Sequence, residues 1–320
     1  MRALLFIFTF SFVSGIFAQQ LPYYTQMKAN EIFLNPAVTG TKRLFDLRLI
    51  YRDQWVGFDG QPKTKGFNMN SRFYKGKMGL GMQYITDETG PTRRNMTNFA
   101  YSFHFRYPDV EMSFGLSANL YKYFLNGSLM TIRNLQDEAI QLGLMSDSRL
   151  FDMNFGFLLY NDRFQVGLSA QNLIQQSAKF YEDVPDSLKE ANLKMVLHPF
   201  FTVGYNWGGN PDFVWENYLM AGYITGATIS MDYSLRMYFK NKLIAGASYR
   251  LKDAFALHAG FILMDQVQVC YSYDLGISAL RKAHQNSHEI SIVWSSDLEF
   301  IFGKRRGNGM FAKQKFQYLF

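Results

Sequence analysis

From Leu44 onward, apolar and polar residues alternate along the chain with a period of two. In 95–107, Phe99, Tyr101, Phe103, Phe105 and Tyr107 fall on one face, and Asn98, Ala100, Ser102, His104 and Arg106 fall on the other. In 151–160, Phe151, Met153, Phe155, Phe157 and Leu159 oppose Asp152, Asn154 and Gly156. The pattern repeats in 163–171, 229–239 and 266–275. Successive side chains of a strand point to opposite faces, so each segment predicts a strand with unlike surroundings on its two sides. A soluble sandwich alternates in the same way. Length and connections separate the two. Many runs approach or exceed the span of about 9–11 residues that a tilted strand needs to cross a bilayer, against about five or six for an ordinary strand.

The connections also alternate in the first half. Arg52 to Lys63 is long, Lys75 to Lys77 short, Asp87 to Thr92 medium and Pro108-Asp109 short. Leu125 to Arg149 is long, Asn161-Asp162 short and Asn172 to Leu193 long. In the second half two expected outer loops are tight. Short turns at one end and longer loops at the other are the pattern of outer-membrane barrels. The prediction is an all-β fold, a transmembrane antiparallel β-barrel of about fourteen strands over 43–302, with an even count that returns the chain to its starting side.

The flanks do not alternate. Residues 1–18 read as a secretory signal, with Arg2 ahead of the apolar run Ala3 to Phe17 and Ala18 at the cleavage point. Residues 19–42 read as a plug or lid segment. A short helical piece is expected over Met27 to Phe33, ended by Asn35-Pro36, because the residue before proline is pushed out of the helical region. Within Leu125 to Arg149, Leu129 to Leu144 has helical spacing, and a helix covering the barrel rim is expected there. The loop 172–193 carries Glu182, Asp183, Asp186 and Glu190 and is expected to be solvated. The tail 303–320 is basic, then aromatic, and ends on Phe320.

Composition supports a barrel in lipid. Aromatic residues are 17% of the 320 and include 31 Phe and 20 Tyr, while charged residues are 18%. Lipid-facing strand positions and interfacial aromatic belts call for such a balance. Past the N-terminus no apolar run is long enough for a transmembrane helix. The net charge of +7 is scattered apart from Lys304-Arg305-Arg306, which does not form a nucleic-acid footprint. The single cysteine, Cys270, makes no internal disulfide and reads as a small barrel-wall residue.

Candidate chemistry is sparse, and no catalytic, cofactor or metal site is expected. His284 and His288 are four apart, but they flank a turn and a strand start and lack the zinc-protease order of residues. Asp152, Asp232, Arg236, Arg250, Asp274, His104 and Arg106 are expected to face the lumen. Charges in such places pair, hold a plug or line a water-filled pore. Gly79 and Gly81 read as strand glycines where a neighbour approaches closely or the wall bends.

One stretch breaks the alternation, Tyr51-Arg52-Asp53-Gln54-Trp55-Val56-Gly57-Phe58-Asp59-Gly60-Gln61-Pro62-Lys63. Its Gly and Pro mark a structured turn. Its Trp and Phe predict packing on the barrel mouth or on a partner. With three other stretches it resembles the PorP/SprF family, outer-membrane proteins of the type IX secretion system and gliding machinery of Bacteroidetes. The others are Gln20 to Gln26 with Asn35-Pro36-Ala37 and Gly40; Gly79-Leu80-Gly81 leading to Asp87 and Gly90; and Tyr271-Ser272-Tyr273-Asp274-Leu275 with Leu280-Arg281 and Ser287-His288-Glu289-Ile290. Residues from about 125 to 225 match in strand pattern only.

The resemblance implies a non-enzymatic role in export or surface anchoring of large proteins such as adhesins. The implied partners are outer-membrane lipid, a secreted cargo or its C-terminal signal domain, and a periplasmic secretion-system or peptidoglycan-bound protein. Partner-binding or barrel-mouth roles fall on Arg52, Gln54, Trp55, Gly57, Asp59, Asp87, Gly90, Tyr273, Asp274, Arg281, His288 and Glu289. Arg52, Trp55, Asp59, Arg281 and His288 are expected on the outward loops or rim, and the loop 52–63 is expected to pack against Leu280 to Glu289. A porin-like channel and an outer-membrane hydrolase are the rival readings.

Overall fold

The structure is a computed structural model that describes residues 24–42, 44–73, 76–129, 145–178, 193–210, 212–224, 229–278, 281 and 285–296. The expected signal (1–18), tail (303–320), acidic loop residues 182–190, His284 and most of the helix expected over 129–144 lie outside the described residues.

The alternating segments form long antiparallel strands. They are β1 (Phe45–Asp53), β2 (Lys63–Phe73), β3 (Met78–Thr89), β4 (Thr92–Arg106), β5 (Glu111–Asn126), β6 (Met145–Tyr160) and β7 (Phe164–Gln171). Two two-residue strands follow, β8 (Ser177–Ala178) and β9 (Leu193–Lys194), which pair with each other. Then come β10 (His198–Asn210), β11 (Phe213–Gly222), β12 (Ser230–Phe239), β13 (Leu243–Arg250), β14 (Ala254–Leu263), β15 (Val267–Gly276) and β16 (Ser287–Ser296). All but β8 and β9 join one closed barrel of fourteen strands, in which each strand neighbours the next and β1 pairs with β16. Closure leaves no unpaired sheet edge, which a wall surrounded by lipid requires.

Burial follows the period of two. On β5 the exposed Leu116 and Leu120 alternate with the buried Ser117 and Asn119. Phe99, Phe155, Leu168 and Leu257 likewise point outward, and Asn98, Asn154, Ser169 and His258 point inward. The apolar face is therefore the lipid face. Near the short-turn end, Trp207 and Trp215 stack at 5.8 Å, and Phe105, Phe114 and Phe157 make successive edge and tilted contacts. Such rings form the aromatic belt of a membrane interface.

Two connections differ from expectation. β3 and β4 extend to Thr89 and Thr92, so only Gly90-Pro91 joins them. The cross-strand pairs Asp87↔Arg94 and Glu88↔Arg93 carry the ladder above the point where the apolar alternation stops. β6 begins at Met145 rather than after Arg149, because Ser146 to Ser148 pair with Tyr123 to Leu125 despite their polar character. The tight turns of the second half have φ > 0 at successive residues, as at Lys240-Asn241 and Met264-Asp265. This is the twist that a two-residue hairpin needs.

Residues 24–42 fill the lumen. A 3-10 turn (Lys28–Asn30) leads to a four-residue helix, α1 (Glu31–Leu34), and Asn35 ends it in extended conformation. A second 3-10 turn (Pro36–Val38) follows, with the Asn35 side chain accepting the Ala37 N–H. The segment descends from the loop end, beside Arg52 and Glu289, to the turn end, where Gly40 N–H meets Asn70 and Lys42 meets Asp46. Gly79 and Gly115 allow this close approach. A Cβ at Gly115 would lie 2.3 Å from Ala37 N, and one at Gly79 would lie 2.3 Å from Thr39 O. The reading of Gly79 as a place of close approach therefore holds, and what approaches is the plug backbone.

Candidate functional site

The N-terminal turn of the plug is gripped by three charged strand-end residues. Parity along β1 sends Leu47, Leu49 and Tyr51 outward and Arg48, Ile50 and Arg52 inward. Arg52 is 1% exposed, so it is not the outward rim residue expected from its place at the end of the strand pattern. It lies 2.8 Å from Asp274 and 3.2 Å from Glu289, and it donates to the Thr25 hydroxyl. Glu289 accepts the N–H groups of Thr25 (2.6 Å) and Gln26 (3.0 Å). The Thr25 hydroxyl reaches both Asp274 oxygens at 2.7 Å. One guanidinium thus bridges two buried carboxylates, and one of these holds two plug amides. Charge-assisted bonds of this kind are about twice as strong as neutral ones.

Further anchors hold the rest of the plug. Glu31 pairs with Lys28 at 2.7 Å and accepts from Gln165 and Thr202. Asn35 Nδ2 donates to Phe157 O, and Gln171 donates to Phe33 O and Leu34 O. At the turn end, Ser102 Oγ donates to Thr39 O at 2.6 Å and His104 Nε2 lies 3.0 Å from the same oxygen. Behind His104, Tyr160 donates to Glu111, which pairs with Arg72 at 2.7 Å.

The lumen-facing set predicted from sequence is largely in place. Asp152, Asp232, Arg236, Asp274 and His104 are buried inside the wall, and Arg250 reaches Asp232 and Asp274. Arg106 is the exception. It has inward parity but lies at the very end of β4, leaves the lumen and is exposed beside Glu111. One cross-strand row carries Glu216–Arg236, Glu289–Arg52 and Asp87–Arg94 as successive acid–base neighbours. A charge-selective pore presents rings of one sign, whereas this belt is balanced. Glu216, Arg236, Glu289 and Arg52 are buried, as side chains lining open water would not be, while Asp87 and Arg94 are partly exposed.

Above Arg52, Asp274 and Glu289, the first loop is a folded unit. Trp55 takes φ +57, and its N–H donates to Ser287 Oγ at 3.0 Å. Val56 N–H donates to Asn286 O, and Gln285 N–H returns to Val56 O. The loop therefore meets the last outer loop, as expected, through backbone hydrogen bonds. Gln54 N–H closes onto Pro62 O, Gly57 N–H donates to Gln61, and Gly90 N–H donates to Gly60 O. Gly57, Phe58, Asp59 and Gly60 are exposed, as is Arg281. Asp87 bonds Thr64 and pairs with Arg94 on the inner wall. Tyr273 and His288 are on the outer wall, where His288 meets the Tyr271 hydroxyl at 2.6 Å and the Tyr273 ring at 5.2 Å. Eleven of the twelve candidates thus divide into an internal latch (Arg52, Asp274, Glu289), a loop surface and an outer-wall aromatic group, and Asp87 stands apart on the inner wall. Thr25 and Gln26 lie in a stretch that carries the family resemblance, but neither they nor Glu31 have partners legible in the sequence, because the plug has no periodicity to assign them.

Two Ser–His pairs among the described residues resemble a nucleophile with its base. Ser102 Oγ lies 2.9 Å from His104 Nε2, but it is fully buried and donates to Thr39 O of the plug. In the other, His258 Nδ1 lies 2.7 Å from Ser272 Oγ, and its Nε2 lies 3.1 Å from Ser248 Oγ. Both ring nitrogens are taken by hydroxyls, so no carboxylate orients the ring as a catalytic triad needs. Ser272 is fully buried. No group of three or more His, Cys, Asp or Glu that could hold a metal occurs among the described residues.

Comparison with known proteins adds the following. The model of the family described as type IX secretion system membrane protein PorP/SprF matches residues 16–294. Among solved structures, a Pseudomonas aeruginosa FadL homologue superposes with a TM-score of 0.50 at 11% identity, covering 83% of this chain and 93% of that one. The CymD monoaromatic hydrocarbon channel gives 0.48 at 14% identity, covering 83% and 91%. The Ralstonia pickettii toluene transporter TbuX gives 0.47 at 8%, covering 83% and 92%. At these identities the likeness concerns the fold alone. No curated protein matches the chain.

Proposed function

The chain belongs to the type IX secretion system membrane protein family PorP/SprF, and its barrel places it in the outer membrane; on that premise we propose that it is a closed, non-enzymatic scaffold for secreted proteins. In this reading the paired outer loops hold a secreted protein by its C-terminal signal domain. The short-turn end docks a periplasmic or peptidoglycan-bound component of the machinery. The result is export or surface anchoring of large proteins such as adhesins, with gliding as one use of what is anchored.

The observation that carries the proposal is the filled lumen. Residues 24–42 occupy it and are bonded from Thr25 at the loop end to Gly40 at the turn end. A barrel filled by its own chain offers two end surfaces and a lipid-facing wall, not a passage. The same observation argues against a constitutive porin. The burial of Ser272 and the placement of His258 argue against a hydrolase.

The loop surface supplies the test. Trp55 and Phe58 make an edge contact at 6.5 Å, and Phe58 is exposed at the tip. Aromatic anchors of this type commonly carry most of the energy of an interface. Trp55→Ala with Phe58→Ala is expected to leave the barrel folded and to lower recovery of secreted proteins on the tagged chain by about tenfold, the effect of losing one or two such anchors. Recovery of periplasmic components is expected to stay unchanged. Affinity purification from outer membranes, with the co-purifying proteins identified, measures both. Equal cargo recovery with wild-type and variant chains would contradict the placement of the cargo site.

A further inference from the structure

We infer that the paired outer loops and the plug are one coupled device, in which pairing of the loops clamps the open end of the β1–β16 seam and loss of that pairing frees the plug's Thr25–Gln26 turn. The inference rests on the reading that these loops receive a partner. It adds that a partner which opens them from outside unlatches the lumen below.

The seam ends at the loop side with the pairs Arg52↔Glu289 and Asp53↔His288. A ladder that stops there would fray, because terminal pairs open at low cost. Three hydrogen bonds continue it upward: Trp55 N–H to Ser287 Oγ, Val56 N–H to Asn286 O, and Gln285 N–H to Val56 O. Immediately below, the same two strand ends supply Arg52 and Glu289 to the plug. Only two residues separate Arg52 from Trp55, and one separates Ser287 from Glu289. Moving either strand end draws the guanidinium or the carboxylate away from Thr25. The loop can act as a lever because it is braced within itself and against the β3–β4 turn, through Gln61 with Asp53 and Gly60 with Gly90. The lower plug is held at the opposite end of the barrel, by Ser102 and His104 on Thr39. The released part is therefore the N-terminal turn alone.

Hydrogen exchange of the purified chain in lipid nanodiscs, read by mass spectrometry, tests this without any cargo. Glu289→Gln opens the latch directly. Val56→Pro removes a loop N–H and leaves every latch residue in place. Both are expected to speed exchange of the Thr25 and Gln26 amides by at least about tenfold, the effect of losing a bond to a charged group. The 35–42 peptide should stay at the wild-type rate. If only Glu289→Gln has the effect, loop and latch are uncoupled and the inference is overturned. If neither variant has it, there is no latch. If 35–42 also speeds up, the whole plug melts and the local device is wrong. Should Val56→Pro fail to fold, Ser287→Ala removes the hydroxyl that accepts the Trp55 N–H and is judged by the same outcomes. Cargo recovery in the loop-tip variants judges the docking reading separately, so either can fail alone.

Discussion

Replacing Arg52 with alanine is expected to destabilise the folded barrel by roughly 3–5 kcal/mol, the cost of leaving a buried charge without its partner. Arg52, Asp274 and Glu289 are all nearly inaccessible to water. Removing the guanidinium leaves two buried carboxylates beside Thr25, Asp274 at its hydroxyl and Glu289 at its backbone N–H. The lower end of that range is expected, because Arg250 stays 3.9 Å from Asp274 and two plug amides still donate to Glu289. Arg52→Lys should recover only part of the loss, since an ammonium cannot present a planar fork to two acids at once. Arg93→Ala is the control. Its pair with Glu88 spans 3.9 Å with both side chains about half exposed, and such pairs contribute about 0–1 kcal/mol. Urea unfolding in lipid vesicles measures all three. Equal midpoints for Arg52→Ala and Arg93→Ala would mean that the latch contributes nothing.

Gly115→Leu is expected to unseat the plug and leave the wall intact. Gly115 pairs with Gly156 across β5 and β6, and together they form a flat seat for Asn35-Pro36-Ala37. A Cβ at Gly115 would stand 2.3 Å from Ala37 N and from Pro36 C, and one at Gly156 would stand 2.0 Å from Asn35 Oδ1. The nearest atoms at Gly115 are backbone, so a rotamer change cannot relieve the clash. A strand itself accepts leucine. The side chain therefore displaces residues 35–40, and a wall of this strand number is wide enough to admit water once its filling leaves. In planar bilayers the wild-type chain should show only leak current. Gly115→Leu should raise conductance by about an order of magnitude or more, as an opened lumen would. A non-conducting variant with a protease-resistant plug would contradict the seating geometry.

Much of the wall was legible because one physical rule writes it. A strand between lipid and a packed interior must alternate, and Phe99 to Tyr107 or Phe151 to Leu159 show it residue by residue. Register was not legible, because it joins residues far apart in sequence. Arg52 meets Asp274 across 222 residues and Glu289 across 237, and no local pattern specifies either meeting. The inward direction of Arg52 could have been read from the parity of Leu47, Leu49 and Tyr51. Its place at the border of a Gly- and Pro-rich loop suggested an outward residue instead. Arg106 shows the opposite case, where parity points inward but the wall has ended. The first loop does pack on the last, but through the backbone of Trp55 and Val56, and Phe58 stays exposed although its residue type suggested burial. The partners of Thr25 and Gln26 were not legible, since an irregular segment carries no period from which to infer a face.

The central claim is that this closed barrel serves secretion as a scaffold. The most direct measurement compares the amounts of C-terminal-signal proteins at the cell surface and in the medium, in a strain lacking the chain and in the same strain supplied with it. The account predicts that specific surface proteins are lost without the chain and restored with it. Unchanged levels of every such protein, at the surface and in the medium, would contradict it.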